Sequence, residues 1–194
     1  LNSSNGILHM GAHRGSEAAV YDWFNKKTIW IEANPKIYTD LEINVSTFVN
    51  QSAFNILLYE EDDKKISFNI SNNDAASSSI YNFGSESEKD HLKMINSVNL
   101  ISKKIDTFFL EQSFKVEEYD FWVMDIQGAE LSALKGAKKS LEKCNFVYVE
   151  VSVGDYYKNA PQWEEIKSFL KKFNFKNVWE PANSHTDILF KKIN

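Results

Sequence analysis

The residues best placed to do chemistry fall into three groups along the chain. The first is the glycine-bounded run Gly11-Ala12-His13-Arg14-Gly15, which follows the apolar residues 7–10. The second is Glu32, near the end of the run 28–33 and just ahead of Asn34-Pro35. The third is Asp125 and Gln127 at the end of the nearly all-apolar run 119–126, with Glu150 closing another such run and His185 in a late turn. A glycine-rich turn between strand and helix lets main chain approach a ligand. A carboxylate at the next strand tip can accept two hydrogen bonds from the vicinal hydroxyls of a ribose. Together these features outline a nucleotide-type cofactor site at the carboxyl edge of a parallel sheet.

The loop discriminates between cofactors. A dinucleotide fingerprint needs a glycine where His13 stands, so the backbone can approach a pyrophosphate. A side chain there crowds a diphosphate but not S-adenosyl-L-methionine, which has none. Glu32 would serve either cofactor, so a NAD-dependent oxidoreductase remains the alternative reading. The sequence has no lysine of the phosphate-loop type and no Tyr-x-x-x-Lys pair. It has no His-Glu-x-x-His or paired-cysteine pattern either, so no metal is expected.

Hydrophobic periodicity supplies the elements that would hold these groups. Strands are expected at 7–10, 28–33, 54–59, 119–126 and 146–151. A hairpin arm is expected at 66–70, a strand and short helix over 98–109, and closing strands at 175–180 and 186–192. Ser16 and Glu17 suit a helix start, with Val20, Trp23 and Phe24 turned inward. Asn34 is a cap with Pro35 as first helical residue, and Tyr38, Leu41, Val45 and Phe48 follow at helical spacing. One helix over 129–142 would bury Leu131, Leu134 and Leu141. Another, opened by Pro161, would bury Trp163, Ile166, Leu170 and Phe173. Trp122 and Trp179 are expected in the core. The alternation of strands and helices predicts a single α/β domain over 1–194: a doubly wound, mostly parallel sheet with an antiparallel last strand. The aperiodic stretch 71–91 is a candidate lid.

Composition narrows the classes. With 194 residues, 22 basic and 27 acidic, the net charge is −5, which disfavours a nucleic-acid partner. The one cysteine, Cys144, allows no internal disulfide and fits a reducing, cytoplasmic setting as a buried thiol. No apolar run reaches the length of a membrane span, and no signal peptide is visible. Nothing in the sequence bears on oligomeric state.

The segments His9–Ala18, Trp30–Pro35, Ile66–Gly84, Lys104–Phe109 and Asp120–Ala137 resemble, in order and spacing, the FkbM-type methyltransferases, and the likeness covers most of the chain. The resemblance implies a Rossmann-like, class I methyltransferase fold and adenosylmethionine-dependent methyl transfer to oxygen. It implies a hydroxyl on a sugar, glycan or small secondary metabolite as acceptor. It places Gly11, His13, Gly15, Glu32, Asp125 and Gln127 around the cofactor, with His9, Ala12, Glu17, Ala33 and Asn34 flanking the same motifs. His9 and Gln127 stand where many members carry acids, which keeps a non-catalytic cofactor-binding member as a further alternative. Asp125, His185 and Glu150 are the candidates for taking the acceptor's proton. Each has a plainer reading. Asp125 or Gln127 could cap the 129–142 helix, Glu32 could serve the dipole of the helix after Pro35, and His185 could be a surface loop residue.

Overall fold

Residues 1–87 and 91–193 are described in the computed structural model, and residues 88–90 of the expected 71–91 loop lie outside them. In chain order the strands are β1 (Gly6–Met10), β2 (Lys27–Glu32), β3 (Gln51–Asn55), β4 (Leu57–Leu58), β5 (Lys65–Ser71), β6 (Met94–Lys103), β7 (Phe121–Met124), β8 (Phe146–Ser152), β9 (Phe175–Asn177) and β10 (His185–Lys192). They form a seven-stranded sheet in the order β3-β2-β1-β7-β8-β10-β9 and a smaller sheet in the order β4-β6-β5. In the large sheet only β10 runs antiparallel, pairing with both β8 and β9, as the alternation had suggested.

The helices are α1 (Ala18–Trp23), α2 (Pro35–Val45), α3 (Ile105–Glu111), α4 (Glu130–Lys135), α5 (Lys138–Leu141) and α6 (Trp163–Lys171). α1 and α2 cover one face of the sheet, where Ile7 and Trp30 pack with Tyr21, Leu41 and Val45. The larger core lies on the other face, where Leu8, Met10, Trp122, Val147 and Val149 meet Phe108, Leu134, Ile166 and Leu170. β1 is buried at all five residues, so both its faces are covered. In β7 and β8 burial alternates, and Phe121, Val123, Phe146 and Tyr148 are only half-buried.

Several elements differ from the sequence expectation for local reasons. The 54–59 run is divided. Asn55 Nδ2 bonds the carbonyls of Glu32 and Ala33 and closes β3, and the chain then leaves the large sheet so that β4 pairs with β6. The 129–142 helix is broken at Gly136, where a Cβ would lie 2.3 Å from the Tyr59 carbonyl, and Asp106 caps the second half through Lys139 N and Ser140 N. α1 turns Ala18 and Tyr21 inward rather than Val20, Trp23 and Phe24, and Trp23 is 86% exposed. Tyr21 takes the inward place because its ring stacks on Trp30 at 5.1 Å and its hydroxyl meets His9. Trp179 lies outside the core at 44% exposure, with Nε1 donating to the Asp187 carbonyl, because β9 ends at Asn177. Trp122 and Trp163 are buried as expected.

The junction of β1 with β7 organises the sheet edge. Asp125 N donates to the Met10 carbonyl at 3.0 Å, and Gly11 N and Ala12 N both donate to the Ile31 carbonyl. Gly11 adopts φ +80°, and a Cβ there would stand 1.7 Å from the Asp125 carbonyl oxygen, so no other residue fits.

Candidate active site

A cavity opens at this junction. Gly11, His13, Glu32 and Ala33 line one side and Asp125 and Gln127 the other, with an apolar wall from Ile31, Ile56, Leu57, Leu58 and Phe68. Glu32 is 8% exposed. Its Oε2 accepts from His13 N at 2.9 Å and its Oε1 from Asn34 N at 2.7 Å. Burial raises its pKa above the usual carboxylate range, and these N–H donors pull against the rise. Each carboxylate oxygen can still accept a second hydrogen bond.

Other expected cofactor residues stand outside the cavity lining. His9 turns to the α1 face, stacked on Trp30 at 4.8 Å with Nδ1 3.1 Å from the Tyr21 hydroxyl. Burial lowers its pKa to about 4, so it is neutral at pH 7. Glu17, near enough to act on His9 by charge, accepts from Ser16 Oγ at 2.8 Å. Ala12 is buried in the smaller core, and a Cβ on Gly15 would press on Leu41. Asn34 caps α2 by accepting from Lys36 N.

Ala75, Ala76, Ser78 and Ile80 complete the lining from the 71–91 stretch. This segment is tied at both ends. At one end the Arg14 guanidinium, braced by Asp40 at 2.9 Å, pairs with the Asp74 carboxylate, and His13 Nε2 lies 3.0 Å from the Asp74 carbonyl. At the other end Ser79 Oγ donates to the Gln127 carbonyl at 2.6 Å. Sequence reasoning missed the wall from Ile56, Leu57 and Leu58, because those residues read as ordinary strand.

Beyond Gln127 lies a connected acidic cluster. Gln127 Nε2 donates to Asp125 Oδ1 and, at 2.9 Å, to Glu150 Oε2. Glu150 Oε1 is 2.8 Å from His185 Nε2, whose Nδ1 lies 3.0 Å from Ser152 Oγ. The imidazole stacks on Tyr156 at 4.3 Å. Loss of solvent on the sheet side and the Glu150 charge push the Asp125 carboxyl up to about 7, although its outer edge meets solvent in the cleft. Burial pulls His185 down, but the Glu150 hydrogen bond and neighbouring carboxylates leave its pKa above the ordinary value. Neither Asp125 nor Gln127 caps α4, whose N-cap is Ala129 without a side-chain cap; the buried Glu130 carboxyl accepts from Ile126 N and Gly128 N and braces the turn ahead of the helix. His185 opens β10 opposite Ser152.

Comparison with known proteins bears on the family and the fold. The family described as "Methyltransferase FkbM domain" matches residues 9–176. A 2-O-methyltransferase NoeI from Sinorhizobium fredii (strain NBRC 101917 / NGR234) is 24% identical over 176 residues, 86% of this chain and 71% of that protein. Among solved structures, magnesium protoporphyrin IX methyltransferase (ChlM) from Synechocystis PCC 6803, with bound SAM, superposes with a TM-score of 0.53 at 8% identity. That match covers 99% of this chain and 72% of the other. A TehB-like SAM-dependent methyltransferase from Corynebacterium glutamicum gives 0.49 at 7% identity, covering 98% and 82%. The mostly parallel sheet with its antiparallel β10 is the class I methyltransferase fold. Among the described residues no helix is long and apolar enough to cross a membrane.

Proposed function

The chain belongs to the FkbM methyltransferase family, and from that premise we propose that it uses S-adenosylmethionine to methylate a hydroxyl of a glycan or small metabolite. The observation that carries the reading is Glu32, held by two main-chain N–H groups on the cavity wall beside an apolar slot. That combination suits a ribose diol joined to a flat, uncharged base. The residues fit the cofactor: Glu32 would accept the ribose hydroxyls, Ile56, Leu57, Leu58 and Phe68 would face the adenine, and Gly11 leaves main chain at the surface. When bound, the cofactor supplies an electrophilic methyl group on a sulfonium. The name of the Sinorhizobium relative favours oxygen as the acceptor atom.

The protein's part is positioning and proton removal. Asp125, with its pKa near 7, and the Glu150–His185 pair stand together at the tips of β7, β8 and β10, where a hydroxyl proton would be taken. The segment tied by Arg14–Asp74 and Ser79–Gln127 acts as the lid that excludes water.

Isothermal titration with S-adenosylhomocysteine tests the reading. Loss of two charge-assisted hydrogen bonds in Glu32→Ala weakens binding by roughly 100-fold. Because Glu32 also holds His13 N and Asn34 N, Glu32→Gln, which keeps its shape, is measured beside it with thermal melts. Wild-type affinity in a folded Glu32→Ala protein would refute the assignment.

A further inference from the structure

Gln127 is the hinge of the acidic cluster. It lies in the left-handed region at φ +56°, and Ser79 Oγ holds its carbonyl at 2.6 Å. Its side-chain amide meets three partners. Nε2 donates to Asp125 Oδ1 and Glu150 Oε2, and Oε1 accepts from the Tyr157 hydroxyl. The two ends of an amide have the same shape, so the surrounding donors and acceptors decide which way it points. Ionised carboxylates only accept, and a reversed amide would set its oxygen against both. The Tyr157 hydroxyl has one proton, and the Ser77 carbonyl at 3.2 Å is the competing acceptor. Tyr157 is itself well fixed: it is 1% exposed, stacked on Phe83 at 5.5 Å, and bridged to it through the main chain.

We infer that Tyr157 is a positioning residue: by donating to Gln127 Oε1 it fixes the amide so that the NH2 group bridges Asp125 and Glu150. The bridge lets two carboxylates share one site without a cation between them. Its N–H donors favour the ionised form of Asp125, against the burial and the Glu150 charge that favour protonation there. Around the pair stand Glu130 from α4, Tyr148 from β8, and His185 and Asp187 from β10, each acting on Asp125, Glu150 or both. Gln127 therefore sets how readily Asp125 takes up a proton, and Tyr157 sets Gln127. The catalytic weight of this arrangement rests on the methyl-transfer reading above, whereas the amide geometry does not.

Carbon-13 carboxyl NMR on protein labelled at Asp and Glu side chains follows the pair's titration, with Asp125→Asn and Glu150→Gln for assignment. Tyr157→Phe keeps the ring and its stacking but removes the donor. The midpoint of proton uptake rises by about half a pH unit or more. Gln127→Leu raises it at least as far, and the double variant adds nothing, because both act through one bond. A midpoint unmoved in either folded single variant overturns the inference. Titration of wild type with S-adenosylhomocysteine separates the two readings. Absent binding sinks methyl transfer and leaves the carboxyl result standing, while normal binding with an unmoved midpoint sinks only the role of Tyr157.

Discussion

Where β1 and β2 end, the cavity is lined by main chain and by one carboxylate that main-chain N–H groups hold, with a neutral histidine shut away behind it. Where β7, β8 and β10 meet, the polar groups are side chains sharing protons: Asp125, Gln127, Glu150 and His185. The first flank suits recognition of a fixed ligand, because peptide N–H groups do not titrate and are held by the strands. The second suits a reaction that must move a proton, because Asp125 is pushed up to about 7 and His185 is raised above its ordinary value beside it. Burial follows the same division. β1 and β2 are covered on both faces, whereas Phe121, Val123, Phe146 and Tyr148 leave one face of β7 and β8 half-open.

The comparison can be broken most severely at its seam. Gly11→Ala sets a methyl against the Asp125 carbonyl and costs about 3 kcal/mol or more, read as lost folded protein in urea melts. Glu150→Gln strikes the second flank alone. Methyl transfer to a mixed hydroxyl library falls by about 100-fold or more, with S-adenosylhomocysteine affinity held within about twofold. A parallel loss of affinity would erase the division between flanks.

Stability against pH gives a smaller contrast, with opposite signs on the two sides. The unfolded chain protonates His9 near 6.5 and the folded chain resists until about 4. Stability therefore falls as pH drops through that window, by up to about 3 kcal/mol, and His9→Phe flattens the fall. Asp125 behaves in the reverse sense. The folded chain holds its proton to about 7 while the unfolded chain releases it near 3.8, so this group lowers stability as pH rises between them. Asp125→Asn removes that decline in pH-dependent melts. Smallest of all is Trp23→Ser. The exposed ring leaves stability within about 0.5 kcal/mol of wild type, where a core tryptophan would cost several.

The mostly parallel sheet, the antiparallel β10 and the grouping of Glu150 with His185 were legible because strand periodicity and crossover rules fix which tips share an edge. The Asn34–Pro35 helix start was legible because capping is a local interaction. Trp23 and Phe24 were misplaced because helical spacing gives a face but not its rotation, which the Tyr21–His9 hydrogen bond sets. The break at Gly136 depends on the Tyr59 carbonyl, far away in the chain. Tyr157 carried no local signal at all, since its partners Gln127 and Phe83 come from other segments. The Arg14–Asp74 tie was hidden for the same reason.

The contact of Gly11 with the Asp125 peptide has one further consequence. Strand tips that touch through backbone have no rotamer and no titrating charge at the joint, so the spacing between the Glu32 side of the cavity and the Asp125 side behaves as a constant of the scaffold. Side chains on either bank can be exchanged without moving the joint, and the gap between the two banks stays as the two strands set it.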